Sequence, residues 1–349
     1  MSNRYQRFLK AEVWPYFRCR DRKPLHQQWR EARALGAAYH CAPYHYFKHR
    51  LYERGAREDV LGYVPPILVQ RFQEDFNPPS HLHMVIDKLE TNRILGKLGV
   101  PCIETLFSID GDGTVRRGDG ATIDAATAAS QLNRLEGMVF AKPIDWGVGE
   151  GAHRVRAADI KPAFLATLRK VVIQPVLRNH PVIDAIYAGA LNTVRIDTLV
   201  EDGQCTLTAA YLKVGQGTMQ IDNWAKGSIV IGINMATGAL NETGLTHADF
   251  GRKVYAAHPD SGVQFGSITL PTWREFLEVA ERAALGLQPH RSLGHDIAIT
   301  PNGPVFVEAN ETAGFFTLQE ACGPMAATRL GRRALEHWLE RRGIAPKAR

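Results

Sequence analysis

The chain's 349 residues are 45% hydrophobic and 22% charged, a globular composition that excludes disordered, fibrous and low-complexity classes and is long enough for two or three lobes. No apolar run approaches the roughly 18 residues of a membrane span, and none opens the chain as a signal peptide would, so a soluble cytoplasmic protein is expected. The net charge of +6 resides in residues 1–80, with 14 Lys/Arg against 8 Asp/Glu, while the remainder is balanced. This pattern argues against a nucleic-acid partner and for solvated helical faces or a peripheral contact with an anionic surface or substrate.

In chain order, residues 1–60 lack strand alternation, and Leu25 to Gly36 read as an amphipathic helix ended by that glycine. Two Pro-Pro pairs place a boundary or long loop between about 62 and 80. Asp87 then caps a helix with apolar positions Leu89, Ile94, Leu95 and Leu98, which Gly99 ends. A strand over 103–109, a turn and a helix over 124–135 lead to "EGMVFAKP", a short apolar strand stopped by Pro143. A glycine loop with Gly147, Gly149 and Gly151 follows, then a helix near 157–169 and the buried strand "KVVIQPVL". Residues 191–200 and 205–215 read as an antiparallel pair, 227–240 as a hairpin and 272–286 as a helix. The last hairpin, "HDIAIT" and "VFVEAN" across "PNGP", is the clearest in the chain. The last 21 residues hold 7 basic side chains against Glu336 and Glu340, a basic helix or tail. The five cysteines are scattered and never spaced as CxxC, so they read as thiols rather than as a disulfide framework or zinc ribbon.

Pairing across the last turn brings Asp296, Glu308 and Asn310 to one end of a sheet, with Glu308 and Asn310 on the same face. Two carboxylates and an amide oxygen suit Mg²⁺ that keeps waters and phosphate oxygens as its other ligands; a solvated strand end is the plain alternative. Lys142 emerges from an apolar strand, where its ammonium needs an anionic partner, and the glycine loop after it offers backbone N–H groups to phosphates. Lys88, after the cap Asp87, otherwise reads as a surface lysine. His258 and His295 read as structural, with His295 on the opposite face from Asp296. Asn192 and Thr193 fit a substrate contact and a loop cap equally well.

Taken together and in order, Asp87-Lys88, Ala141-Lys142-Pro143, Gly147 to Gly151, Ile173 to Leu177, Asp296 and Glu308-Ala309-Asn310 resemble the ATP-grasp superfamily over about 225 residues. "GHDIAITPNGPVFVEAN", "LNTVRI" and "HPDSGVQF" further resemble its sugar-transfer-associated branch. The resemblance implies an α/β fold of two α+β subdomains that clasp ATP. Residues 1–80 would form a basic helical N-terminal region and 81–175 the first, lid-bearing part of the clasp. Residues 176–330 would form the second part, with the metal site, and 331–349 a basic C-terminal helix or tail.

The resemblance also implies roles. Lys88 and Lys142 would contact ATP phosphates under the glycine loop, and Gln174, Pro175, Val176 and Leu177 would offer hinge groups to adenine. Asp184 is the candidate ribose contact. Asp296, Glu308 and Asn310 would hold one or two Mg²⁺ ions, with Mn²⁺ an alternative, and Arg195 and Lys213 would be the catalytic cations near the transferred phosphate. The chain departs from relatives resembling D-alanine ligase at Gly294, where they carry arginine, so Arg195 is expected to supply that charge. It departs too at "ETAG", where Glu311 becomes a further ligand or substrate candidate, and at Lys226, where branch relatives tend to have glycine.

The implied activity is ATP-dependent ligation of a small-molecule carboxylate to an amine through an acylphosphate, with an amino sugar, amino acid or peptide as substrate in glycan or secondary-metabolite synthesis. A small-molecule kinase on the same fold is one alternative. A non-catalytic nucleotide-binding protein that docks on anionic surfaces is another. Nothing in the sequence fixes an oligomeric state.

Overall fold

The computed structural model describes residues 13–55, 59–145, 153–312 and 314–345. The N-terminal region is helical. Helix α1 (Leu25–Tyr39) runs through Gly36 instead of ending there, because Leu35 and Tyr39 lie on its buried side and keep the last turn on the core; it stops at His40 in the left-handed conformation. The stretch expected to be a loop contains helix α2 (Pro66–Phe76). Pro66 occupies the first turn, where a proline lacks no needed N–H, and Leu68, Val69 and Phe72 are fully buried, so burial outweighs the breaker signal. Asp87 caps helix α3 (Lys88–Lys97), accepting from the backbone N–H of Leu89 at 2.9 Å and of Glu90 at 3.1 Å.

The first sheet is six-stranded and antiparallel, in the order β3-β2-β1-β6-β4-β5. Its strands are β1 (Phe107–Ile109), β2 (Val115–Arg117), β3 (Thr122–Ile123), β4 (Met138–Pro143), β5 (His153–Arg156) and β6 (Val171–Pro175). Helix α4 (Ala125–Leu132), capped by Asp124, packs beneath it through Ala128, Ala129 and Leu132.

The second sheet is seven-stranded, in the order β11-β10-β9-β8-β7-β12-β13. It comprises β7 (Thr193–Glu201), β8 (Gln204–Val214), β9 (Ile229–Ile233), β10 (Leu240–Thr246), β11 (Val254–Tyr255), β12 (Ser292–Thr300) and β13 (Gly303–Asn310), all antiparallel. Period-2 alternation gives its long strands two apolar faces. Val194, Ile196, Leu212 and Ile231 face helix α5 (Trp273–Gly286) through Phe276, Val279 and Ala283. Leu199, Ala209, Tyr211 and Val230 face the N-terminal helices together with α6 (Phe315–Cys322) and α7 (Arg329–Glu340).

The N-terminal region is tied to this second face by buried polar pairs. Gln319 exchanges two 2.8 Å hydrogen bonds with the backbone of Val64, and His49 Nδ1 lies 2.6 Å from Glu320. Arginines of α7 turn inward as well: Glu201, 5% exposed, accepts from Arg291 on β12's leading edge and from Arg329 and Arg333. Part of the terminal basic charge is therefore neutralised inside the fold. Among the described residues, no helix is long and apolar enough to cross a membrane.

Candidate functional site

The site grows out of strand register. Across β13, β12, β7 and β8, Glu308, Asp296, Arg195 and Tyr211 are direct neighbours and project from the face that carries the N-terminal helices. One residue pair along, Asn310, Gly294, Asp197 and Ala209 form the next row. Lys213 follows Tyr211 by two residues and so shares that face. The bulge between Asp296/Glu308 and Ile297/Phe306 leaves Val307 as the extra residue and keeps Glu308 opposite Asp296.

Asp296 is 3% exposed. Arg195 grips it with Nε at 2.6 Å and Nη2 at 2.9 Å, and Lys213 Nζ lies 3.0 Å from Oδ2. Burial alone would push its carboxyl up, but the two cations more than offset this and hold it well below the usual carboxylate range. Burial would likewise lower Arg195 and Lys213, yet Asp296 and, for Lys213, Asp222 first raise both. Asp222 Oδ2 lies 3.8 Å from Lys213 and accepts from Thr193 N–H at 2.7 Å and its hydroxyl at 2.6 Å. Glu308 differs: burial and then the charge of Asp296 push it up to about 7.

Two further lysines come from β4 of the first sheet and from the start of helix α3. Lys142 emerges from β4 with its ammonium 5.0 Å from the Phe140 ring centroid, and no carboxylate among the described residues reaches it within salt-bridge distance. Burial lowers its pKa; Glu308 opposes the shift and Lys88 adds to it. Lys88, also lowered by burial and opposed by Glu308, donates to the carbonyls of Pro143 at 3.2 Å and Ile144 at 3.4 Å. The two sheets and the start of α3 therefore bring four cations around Glu308, Asp296 and Asp222.

The donor set fits Mg²⁺ by its chemistry. Asp296 and Glu308 are adjacent hard-oxygen groups whose mutual repulsion a cation would relieve, and Asn310 Oδ1 beside them is a third oxygen of the same kind. Among the described residues no third acidic, histidine or cysteine side chain joins them.

Other expected residues lie as follows. Gln174 is buried in β6, Pro175 ends that strand, and Val176 N–H already donates to Met138 O at 3.3 Å, with Leu177 next in the chain. Asp184 is exposed and accepts from Asn179 at 2.8 Å. Gly147, Gly149 and Gly151 lie outside the described residues. His295, on the opposite face, pairs with Thr198 at 3.1 Å, and burial lowers its pKa to about 3. His258 holds Gly215 O at 2.8 Å, and Asn192 holds Tyr187 O at 2.6 Å and Gly215 N–H at 3.0 Å, so both brace loops. Glu311 offers its backbone carbonyl to Asn77 at 2.9 Å.

Sequence reasoning missed Asp222 and Asp197. Asp222 lies in a loop and carries no local signal. Asp197 could have been found from the alternation in "VRIDT", which sets it on the face of Arg195. Also on this face is a cavity lined by Trp224, Phe316, Lys48 and Arg252. Trp224 Nε1 donates to Leu245 O at 3.2 Å, and Leu245 reaches Lys213 through Val230, two strand spacings or about 10 Å away.

Residues 162–333 match the sugar-transfer associated ATP-grasp family. No curated protein matches the sequence. Among solved structures, a biotin carboxylase complex from Campylobacter jejuni is similar with TM-score 0.47 and 13% identity over 77% of this chain; the chain spans 48% of that protein. The ATP-grasp ligase PsnB, complexed with a phosphomimetic variant of minimal precursor, Mg and ADP, gives 0.43 and 16% over 78% of this chain and 66% of its own. D-alanyl-alanine synthetase A from Vibrio cholerae O1 biovar eltor gives 0.45 and 10% over 76% and 68%.

Proposed function

From the premise that residues 162–333 form a sugar-transfer associated ATP-grasp domain, we propose that the chain is an ATP-dependent ligase that activates a carboxylate as an acylphosphate and joins it to an amine. One observation carries this reading: Lys88 at the start of α3, Lys142 on the first sheet, and Arg195 and Lys213 on the second surround the Glu308–Asp296 pair.

Phosphoryl transfer asks little covalent work of a protein, so positioning and charge neutralisation carry it. Lys142 is buried without a salt-bridge partner among the described residues, and triphosphate oxygens would restore its lost stabilisation. Lys88 adds a second cation anchored on the β4 exit. Arg195 and Lys213 stand on the facing wall, preorganised by Asp296 and Asp222 for the charge that develops on the transferred phosphoryl group. Asp296, Glu308 and Asn310 would hold Mg²⁺, which would supply neutralisation of phosphate charge. A substrate carboxylate oxygen attacks the γ-phosphorus and ADP leaves; the amine then attacks the acyl carbon and phosphate leaves. The cavity beside Trp224 would take the second substrate, its aromatic walls suiting a sugar or other ring.

ADP release measured across amino acids, amino sugars and peptides tests the reading. A ligated product with free phosphate supports it. A stable phosphorylated product would move the assignment to a kinase on the same site, and ATP binding without turnover on any member would favour a nucleotide-binding protein.

A further inference from the structure

Beside the central Asp296, the row Asn310–Gly294–Asp197 contains two polar groups with nothing to bond. Among the described residues, both oxygens of Asp197, 1% exposed, lack a hydrogen-bond partner, as does the buried Asn310 Nδ2. They flank the one residue of the row without a side chain. A Cβ built on Gly294 would lie 3.1 Å from Asp197 Oδ1, 3.1 Å from Arg195 Cδ and 3.4 Å from Arg195 Nη1. The guanidinium thus fills the space that the glycine leaves open. It spends Nε and Nη2 on Asp296, while Nη1 points to the side where the orphaned carboxylate sits.

A buried carboxylate with no partner is costly, and its retention two residues from an arginine on the same strand face calls for a second state in which it is bonded. We propose that Asp197 is a positioning residue that receives Arg195 when a divalent cation engages Asp296. With Arg195 bound side-on, as here, both oxygens of Asp296 are already in use. Rotation of the guanidinium toward Asp197 frees Oδ1, leaves Oδ2 with Lys213 alone, keeps Arg195 beside the site and gives Asp197 the partner it lacks. Gly294 is part of the device because any side chain there would stand between the two groups. The inference rests on the proposed metal-nucleotide reading of this site.

The test uses the full chain, Mn²⁺ as the probe and a non-hydrolysable ATP analogue. Mn²⁺ affinity is measured by electron paramagnetic resonance for wild type, Asp197→Asn and Asp197→Glu, with the melting temperature of each free protein. The expected result is about tenfold weaker Mn²⁺ binding for Asp197→Asn, recovery in Asp197→Glu, and a melting temperature for Asp197→Asn equal to or above wild type, since no native bond is lost. A merely structural Asp197 would instead lower the melting temperature and leave Mn²⁺ binding alone. Wild-type affinity in Asp197→Asn overturns the hand-over while leaving the metal site standing. Failure of wild type itself to bind Mn²⁺ overturns both.

Discussion

The two sheets meet the same centre with cations in opposite states. On the second sheet, long strands put Arg195 and Lys213 in register with Asp296, so both are neutralised before any ligand arrives and both stay firmly charged. Opposite them, Lys142 on the short-stranded first sheet and Lys88 at the start of α3 are desolvated and their pKa values pushed down, with backbone carbonyls or an aromatic ring nearby. One wall has its cations paired with carboxylates and the other holds desolvated lysines. On the proposed reading, the first kind of cation serves stability and the second ligand affinity.

The largest effect should come from breaking the neutralised wall. Asp296→Asn leaves Arg195 and Lys213 buried without the shared charge and should cost about 3 to 5 kcal/mol by denaturant titration. Glu308→Gln sharpens the contrast: this carboxyl is already pushed up to about 7, so stability near neutral pH should hold or rise while turnover falls about 100-fold, roughly 2.7 kcal/mol in the barrier. Unchanged turnover would return Asp296, Glu308 and Asn310 to a structural strand end.

On the wall of desolvated lysines, Lys142→Ala should weaken ATP binding 10- to 100-fold by calorimetry, about 1.4 to 2.7 kcal/mol, with an unchanged or higher melting temperature. A lysine whose loss destabilises the fold without touching ATP affinity would belong to the other class.

Asp197 gives a pH signature. Burial raises its pKa from 3.8 to about 7, so the folded protein holds this proton more tightly than the unfolded chain. Native stability from this group is fully kept below pH 3.8 and falls as pH rises toward 7. Asp197→Asn should therefore stabilise the protein by roughly 2 to 4 kcal/mol at pH 8 and have no effect near pH 4. A pH-independent difference would mean the carboxylate has a native partner. The smallest effect belongs to Asp87→Ala: losing the cap of α3 should cost about 1 kcal/mol and, by loosening Lys88 at the helix start, raise the ATP concentration needed for half-maximal rate.

Local pattern carried much of this molecule. Asp87 as a cap, the β7–β8 pair and the last hairpin follow from short-range chemistry, and period 2 together with the turn at "PNGP" suffices to set Glu308 opposite Asp296 with Asn310 beyond it. Local pattern misled where burial opposed it, at Gly36 inside α1 and at Pro65-Pro66 opening α2, since the apolar side of each helix outweighs the breaker. What no local signal contains is the approach of Lys142 to Glu308, 166 positions apart by their numbers, or of Asp222 to Lys213 and Thr193. Those meetings, the N-terminal helices on the Asp296 face and the orphaned state of Asp197 are decided by how two sheets and their helices fill space. Hydrophobic burial is non-directional: it marks which faces must be covered and leaves their partners to the packing of the whole.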